Sequence, residues 1–213
     1  MQNFLFVGTD CGAGKSYVIC ALLRDLRARG IDAMGFKPIA CGDRSEARNI
    51  RQAVDLPTYR LEDINPLFFR TIAEPIMAAE IERKIIEPAA ILRAYEQICS
   101  AHNLVLTELN GGWETPLATG YSTADLAAAL NQAVIIVANN RPGAASLVKM
   151  LATAIQARGL NCAGVILNHI EEEWSTASVT NAGVIRELTG LPILAELIHG
   201  QDYIDSAAVL NLA

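Results

Sequence analysis

Gly8-Thr9-Asp10-Cys11-Gly12-Ala13-Gly14-Lys15-Ser16 decides how the rest of this sequence is read. An apolar run, Asn3 to Val7, leads into it, and a helical pattern, Ser16 to Arg29, leads out and stops at Gly30. Glycines at a strand-to-helix junction let the backbone turn its N–H groups toward one point, where the helix N-terminus adds positive potential. Lys15 is then placed to reach the outer phosphates of a nucleotide, and the Ser16 hydroxyl to ligate magnesium. The strict phosphate-loop spacing sets a glycine where Thr9 stands, and Gly8 lies one position earlier.

Working outward, short apolar runs recur at Ala33 to Phe36, Asn103 to Thr107, Ala133 to Ala138, Ala163 to Leu167 and Ile193 to Glu196. They are continuous rather than alternating, as strands covered on both faces should be. Helical patterns separate them: Ala89 to Ser100, Ala124 to Gln132, Ala144 to Arg158 and Ser178 to Leu188, with Ser122 and Thr123 as candidate N-caps ahead of Asp125. Strand then helix, repeated, predicts an α/β fold, a doubly wound, mostly parallel sheet with helices on both faces, of the P-loop NTPase type. No repeat, low-complexity tract or flexible linker divides residues 1–213, so one domain is expected. The stretch from Pro57 to Glu87 is the least periodic.

Composition narrows the partners. With 213 residues, 52% of them hydrophobic, the chain can bury a full core without cross-links. A net charge of -6 argues against nucleic acid or a membrane surface, each of which favours a basic face, and points to a small ligand. The five cysteines, Cys11, Cys20, Cys41, Cys99 and Cys162, are scattered and read as reduced thiols. The start, MQNFLFVG, lacks the pattern of a signal peptide, and no apolar run approaches the roughly 18 to 20 residues of a membrane span, so a cytoplasmic protein is expected.

In an open α/β sheet the chemistry gathers where strands end. The second strand ends in Gly35-Phe36-Lys37-Pro38-Ile39-Ala40-Cys41-Gly42. Lys37, fixed by the proline after it, would point into the crevice that holds the phosphates; on periodicity alone it reads equally as a solvated strand-end lysine. The third strand closes on Glu108, followed by Leu109-Asn110-Gly111-Gly112-Trp113-Glu114-Thr115-Pro116-Leu117. A carboxylate there is placed to hold magnesium directly or through water, and the alternative is a carboxylate that caps a loop.

Taken together, Gly8-Thr9-Asp10 with Gly14-Lys15-Ser16, Lys37-Pro38, Glu108 with Gly111-Gly112-Trp113, and Thr115-Pro116-Leu117 resemble the ATP-dependent dethiobiotin synthetase family in order and spacing. Asn65-Pro66, Ala73-Glu74-Pro75 and Asn168 extend the resemblance over most of the chain. It implies ATP as co-substrate, Mg2+ as cofactor, and the closure of 7,8-diaminopelargonate with carbon dioxide to dethiobiotin, ADP and phosphate. The family route runs through a carbamate, which attacks the γ-phosphate, and a mixed anhydride, which the second amine closes by expelling phosphate. The implied catalytic residues are Lys37 and Lys15. Gly12, Ala13, Gly14, Lys15, Ser16, Tyr17, Glu108 and Asn168 fall at nucleotide positions, with Asn168 reading the adenine edge. Thr9, Cys11, Cys41, Gly111 and Gly112 fall at substrate positions, and Ser16, Glu46 and Glu108 at metal positions, with Asp43 competing for the place of Glu46. The family leads one to expect a homodimer, and none of His102, His169 or His199 is needed.

The chain departs from the family pattern in places. Cys11 stands where threonine is usual, Cys41 where serine or threonine commonly contacts substrate, and a thiol is the poorer donor. Arg141-Pro142-Gly143-Ala144-Ala145-Ser146 lacks the polar side chains expected near the substrate carboxylate, and Glu196-Leu197-Ile198-His199 lacks the usual Ile-Pro. Three rivals are a ParA/MinD-like switch ATPase, an amidotransfer ligase of the cobyrinate class, and a nucleotide-binding relic. The first carries an extra lysine early in its phosphate loop, where Asp10, Cys11 and Gly12 stand here; the second needs a glutaminase domain. Cys11, Cys41 and Glu46 are the grounds for the third.

Overall fold

The computed structural model describes residues 2–211. In chain order it runs β1 (Phe4–Gly8), α1 (Lys15–Ala28), β2 (Ala33–Phe36), β3 (Ile39–Cys41), α2 (Ser45–Val54), α3 (Leu61–Ile64), β4 (Leu67–Phe69), α4 (Pro75–Ile81), α5 (Pro88–Ala101) and β5 (Leu104–Glu108). It continues through β6 (Pro116–Ala118), β7 (Tyr121–Ser122), α6 (Thr123–Leu130), β8 (Ala133–Asn139), α7 (Ala144–Ala157), β9 (Cys162–Asn168), α8 (Thr176–Thr189), β10 (Ile193–Leu197) and α9 (Ser206–Leu210).

The continuous apolar runs became the central sheet. It has six strands in the order β10-β9-β8-β1-β5-β2, all pairs parallel. From β1 the chain crosses over β5 to reach β2, and from β5 onward it steps the other way. Right-handed crossovers therefore put α1 on one face and α5 to α8 on the other. Packing agrees: α1 lies against α2 and α9, and α7 against α8. Neighbouring strands β1 and β5 thus send their connections in opposite directions, and the crevice between their carboxyl ends is the topological switch point.

Helix α1 has the predicted stop: Gly30 takes φ 76°, Ile31 N–H bonds Leu26 C=O at 3.0 Å and Gly30 N–H bonds Arg27 C=O at 2.9 Å, a Schellman closure. Ser122 precedes α6, and its N–H bonds the Asp125 carboxylate at 2.7 Å. Gly35 in β2 serves close packing, since a Cβ there would sit 2.3 Å from Ile50 Cγ2 of α2. Strand β1 is buried along its whole length; trimming Leu5, which has no exposed surface, to alanine removes about 2–5 kcal/mol.

The aperiodic stretch is not structureless. It holds α3, β4 and α4, and β4 pairs in parallel with β3 as a separate two-stranded sheet beside the crevice. No helix among the described residues is long and apolar enough to cross a membrane.

Candidate active site

Strand register brings the charged residues together. Phe6 of β1 lies opposite Glu108 of β5, and Phe36 of β2 opposite Thr107. Lys37, the residue after Phe36, therefore emerges beside Glu108, and α1 delivers Ser16 to the same place. Lys37 Nζ lies 2.9 Å from Glu108 Oε1 and 2.6 Å from Glu46 Oε2 of α2. The Ser16 hydroxyl donates to Glu108 Oε1 at 2.8 Å.

These charges are deeply placed. The Lys37 and Glu108 side chains are each 1% exposed, and Glu46 is 46% exposed at the mouth. Burial alone would drive Lys37 toward its neutral form, yet the Glu108 and Glu46 carboxylates outweigh it and raise the pKa above 10.5. Burial likewise opposes the Glu46 charge, and Lys37, with help from Ser16 and Lys15, holds its carboxyl below the ordinary 4.5. Lys37 and Glu46 therefore stand charged at neutral pH. Lys37 is no solvated strand-end lysine, and Glu108 is no loop cap.

The phosphate loop lies against this cluster. Lys15 is 6% exposed, and its Nζ folds back to the Asp10 carbonyl at 3.4 Å. Gly14 takes φ 86°, and a Cβ on it would come within 2.1 Å of Asn168 Nδ2, so only glycine fits. Asn168, at the end of β9, donates to the Ala13 carbonyl at 3.1 Å and braces the loop from behind. Arg141 braces it from the side through an ion pair with Asp10 at 3.0 Å.

A cavity of about 400 Å3 opens over the cluster. Of the residues singled out in the sequence it is lined by Cys11, Lys15, Cys41, Glu46, Glu108 and Gly111. Both thiols thus face one space. Cys41 is pushed up to about 11 by burial and by the Glu74 and Glu82 carboxylates, whereas Cys11 is exposed. Thr9, Gly112, Tyr17 and Asn168 lie outside this lining; the Tyr17 hydroxyl donates to the Gln201 carbonyl instead. Asp43 lines the rim, but its Oδ1 accepts from Ser45 N–H at 2.7 Å and the Ser45 hydroxyl at 2.6 Å, which occupies it at the start of α2. Glu46 is the carboxylate that enters the cluster.

The donor set fits a hard divalent cation. Glu108 Oε2 is buried without a hydrogen-bond partner, an orphan that a cation or its bound water would satisfy. With the Ser16 hydroxyl and the Glu46 carboxylate, the donors of the cluster are all oxygens. No group of three or more His, Cys, Asp or Glu forms a metal cage among the described residues.

Sequence reading passed over the role of Arg44 and Asn65. Asn65 has no exposed surface, and the pair stands behind the cluster rather than in it. The only signal was the Asn65-Pro66 dipeptide, which on its own looks like a turn.

A family model described as AAA domain matches residues 2–203. An ATP-dependent dethiobiotin synthetase of Akkermansia muciniphila is 43% identical, with 99% of each chain covered. One of Aromatoleum aromaticum is 35% identical, over 99% of this chain and 97% of that one. A ParA family ATPase from Chlorobium tepidum TLS superposes on 100% of this chain and 92% of its own with a TM-score of 0.62, at 14% identity, a likeness of fold alone. Placed beside relatives of that identity and coverage, the chain belongs to the ATP-dependent dethiobiotin synthetase family.

Proposed function

We propose that this protein is an ATP- and magnesium-dependent ligase that carboxylates 7,8-diaminopelargonate and closes it to dethiobiotin, releasing ADP and phosphate. The observation that carries the reading is the Lys37 ammonium, buried between Glu108 and Glu46 beside the phosphate loop. Full-length relatives bearing that enzyme's name support the choice of substrate.

The chemistry asks one anion, a carbamate, to approach another, the γ-phosphate. Lys15 and Lys37 offset that repulsion, and the loop backbone fixes the nucleotide in line with the attacking oxygen. The carbamate oxygen forms its bond to phosphorus as ADP leaves. The second amine then attacks the carbonyl carbon, and phosphate departs with the oxygen it gained. Positioning and charge supply the catalysis, and no protein nucleophile takes part.

Ser16, Glu108 and Glu46 would hold Mg2+, which would supply positive charge to offset that of the phosphates. Gly12, Ala13, Gly14 and Tyr17 flank the nucleotide in this reading. Asn168 uses one N–H on Ala13, and its Oδ1 is the acceptor assigned to the adenine amino group. Thr9, Cys11, Cys41, Gly111 and Gly112 surround the diamine. A homodimer is part of the proposal, supported by exposed Met150, Val179 and Leu188 on adjacent helices α7 and α8. A cytoplasmic site is supported by five free cysteines.

The test is phosphate release from ATP, magnesium and bicarbonate with and without 7,8-diaminopelargonate. Release should require the diamine and fall by about 10²-fold or more in Lys37→Ala. Release indifferent to the diamine would favour a switch ATPase, and no release a relic.

A further inference from the structure

We propose that Arg44 and Asn65 are positioning residues that clamp Lys37 at both ends, its main chain and its ammonium. The clamp stands on geometry; its catalytic consequence rests on the reading of Lys37 given above.

The main-chain end is held by Asn65. Its Nδ2 donates to the Lys37 carbonyl at 2.8 Å and to the Leu67 carbonyl at 3.1 Å, while Lys37 N–H bonds the Ile64 carbonyl at 2.9 Å. Strand β2 has already ended at Phe36, so the sheet no longer fixes this peptide, and Asn65 takes over.

Arg44 connects that anchor to the other end. Its Nε donates to Asn65 Oδ1 at 2.9 Å and its Nη2 to the Asn65 carbonyl at 2.7 Å. Its Nη1 pairs with Glu62 at 2.8 Å, and the guanidinium lies 5.0 Å from the Phe68 ring centroid. A planar fork bound on both edges and stacked on a ring has little freedom. Arg44 is the residue immediately before α2, whose first turn carries Glu46. The path closes on itself: Lys37 carbonyl, Asn65 amide, Arg44 guanidinium, the first turn of α2, Glu46 carboxylate, Lys37 ammonium. Movement of α2 away from the crevice would loosen both holds on Lys37 together.

Both Asn65 amide hydrogens and its oxygen are engaged. An asparagine with both donors and its acceptor committed fixes its neighbours as much as itself.

The experiment follows the lysine ammonium groups of Lys15, Lys37, Lys84 and Lys149 by nitrogen-15 NMR in the full chain, alongside steady-state kinetics. In Arg44→Met, the Lys37 ammonium protons should exchange about tenfold faster while those of Lys84 hold. Diamine-dependent kcat should fall by about 10- to 100-fold, with KM for ATP within about twofold. Arg44→Lys keeps the charge and loses the fork, so it should move both readouts in the same direction. In a Lys37→Ala background, Arg44→Met should cost no further activity. An unchanged Lys37 signal, or a loss in the Lys37→Ala background equal to that in the parent, would overturn the clamp. A parent chain without diamine-dependent release would sink the enzymatic reading instead, and the NMR comparison would still decide the clamp.

Discussion

Replacing Lys37 by methionine removes an ammonium and keeps most of the side-chain volume. What remains is Glu108, 1% exposed, with the Ser16 hydroxyl on Oε1 and nothing on Oε2. Breaking a buried ion pair from one side costs about 3–5 kcal/mol, because an uncompensated charge stays in a poorly solvated site. Glu46 is 46% exposed, so water screens that half of the cluster and the lower figure, about 3 kcal/mol, is expected. In a chain of this size each kcal/mol lowers Tm by about 2–4 °C, giving a drop of about 6–12 °C. Urea and thermal unfolding read it directly. The double variant Lys37→Met with Glu108→Met removes the stranded charge and should return to within about 1 kcal/mol of the parent while remaining inactive. A single variant as stable as the parent, or a double variant as unstable as the two singles summed, would refute the claim that the loss comes from a stranded buried charge.

Gly14→Ala should abolish ATP binding, measured by calorimetry, because the new Cβ meets Asn168 Nδ2 at 2.1 Å and φ is 86°. Iodoacetamide should modify exposed Cys11 before Cys41, whose thiol is pushed up to about 11, inactivating the enzyme; ATP should slow the reaction, and full turnover after modification of both thiols would contradict this. In acid, Glu46 should matter by its shift: its folded pKa lies below 4.5, so its contribution is present above pH 4.5 and is lost as pH falls through the folded value. Glu46→Gln should therefore flatten the acid side of the stability profile, followed by urea titration between about pH 3 and pH 6. Lys37, raised above 10.5, should instead lose its contribution only as pH rises past 10.5.

The central strands and α1 were legible because each is long enough to show its period, and because buried parallel strands read as unbroken apolar runs. Lys15, Lys37 and Glu108 were legible as strand-end or helix-start residues once an α/β order was in hand. Strand order was not, since β1 pairs with β5 and β8 across separations no local pattern reports. Strands β3 and β4, at three residues each, are too short to show alternation and exist by pairing with each other. Glu46 needed the family resemblance, because on α2 it is simply an acidic residue in a first turn, where helices favour one anyway. Asn65 escaped because its amide donates to the main-chain carbonyls of Lys37 and Leu67, and Arg44 because its partners Glu62 and Asn65 lie 18 and 21 residues on, beyond any local pattern.

The most direct measurement is the fate of carbon-13 bicarbonate incubated with the protein, ATP, magnesium and 7,8-diaminopelargonate, read by mass spectrometry. The proposed reaction predicts one labelled carbon in a cyclic urea product, formed in step with one phosphate per ring closed. ATP consumed with no labelled ring would contradict it.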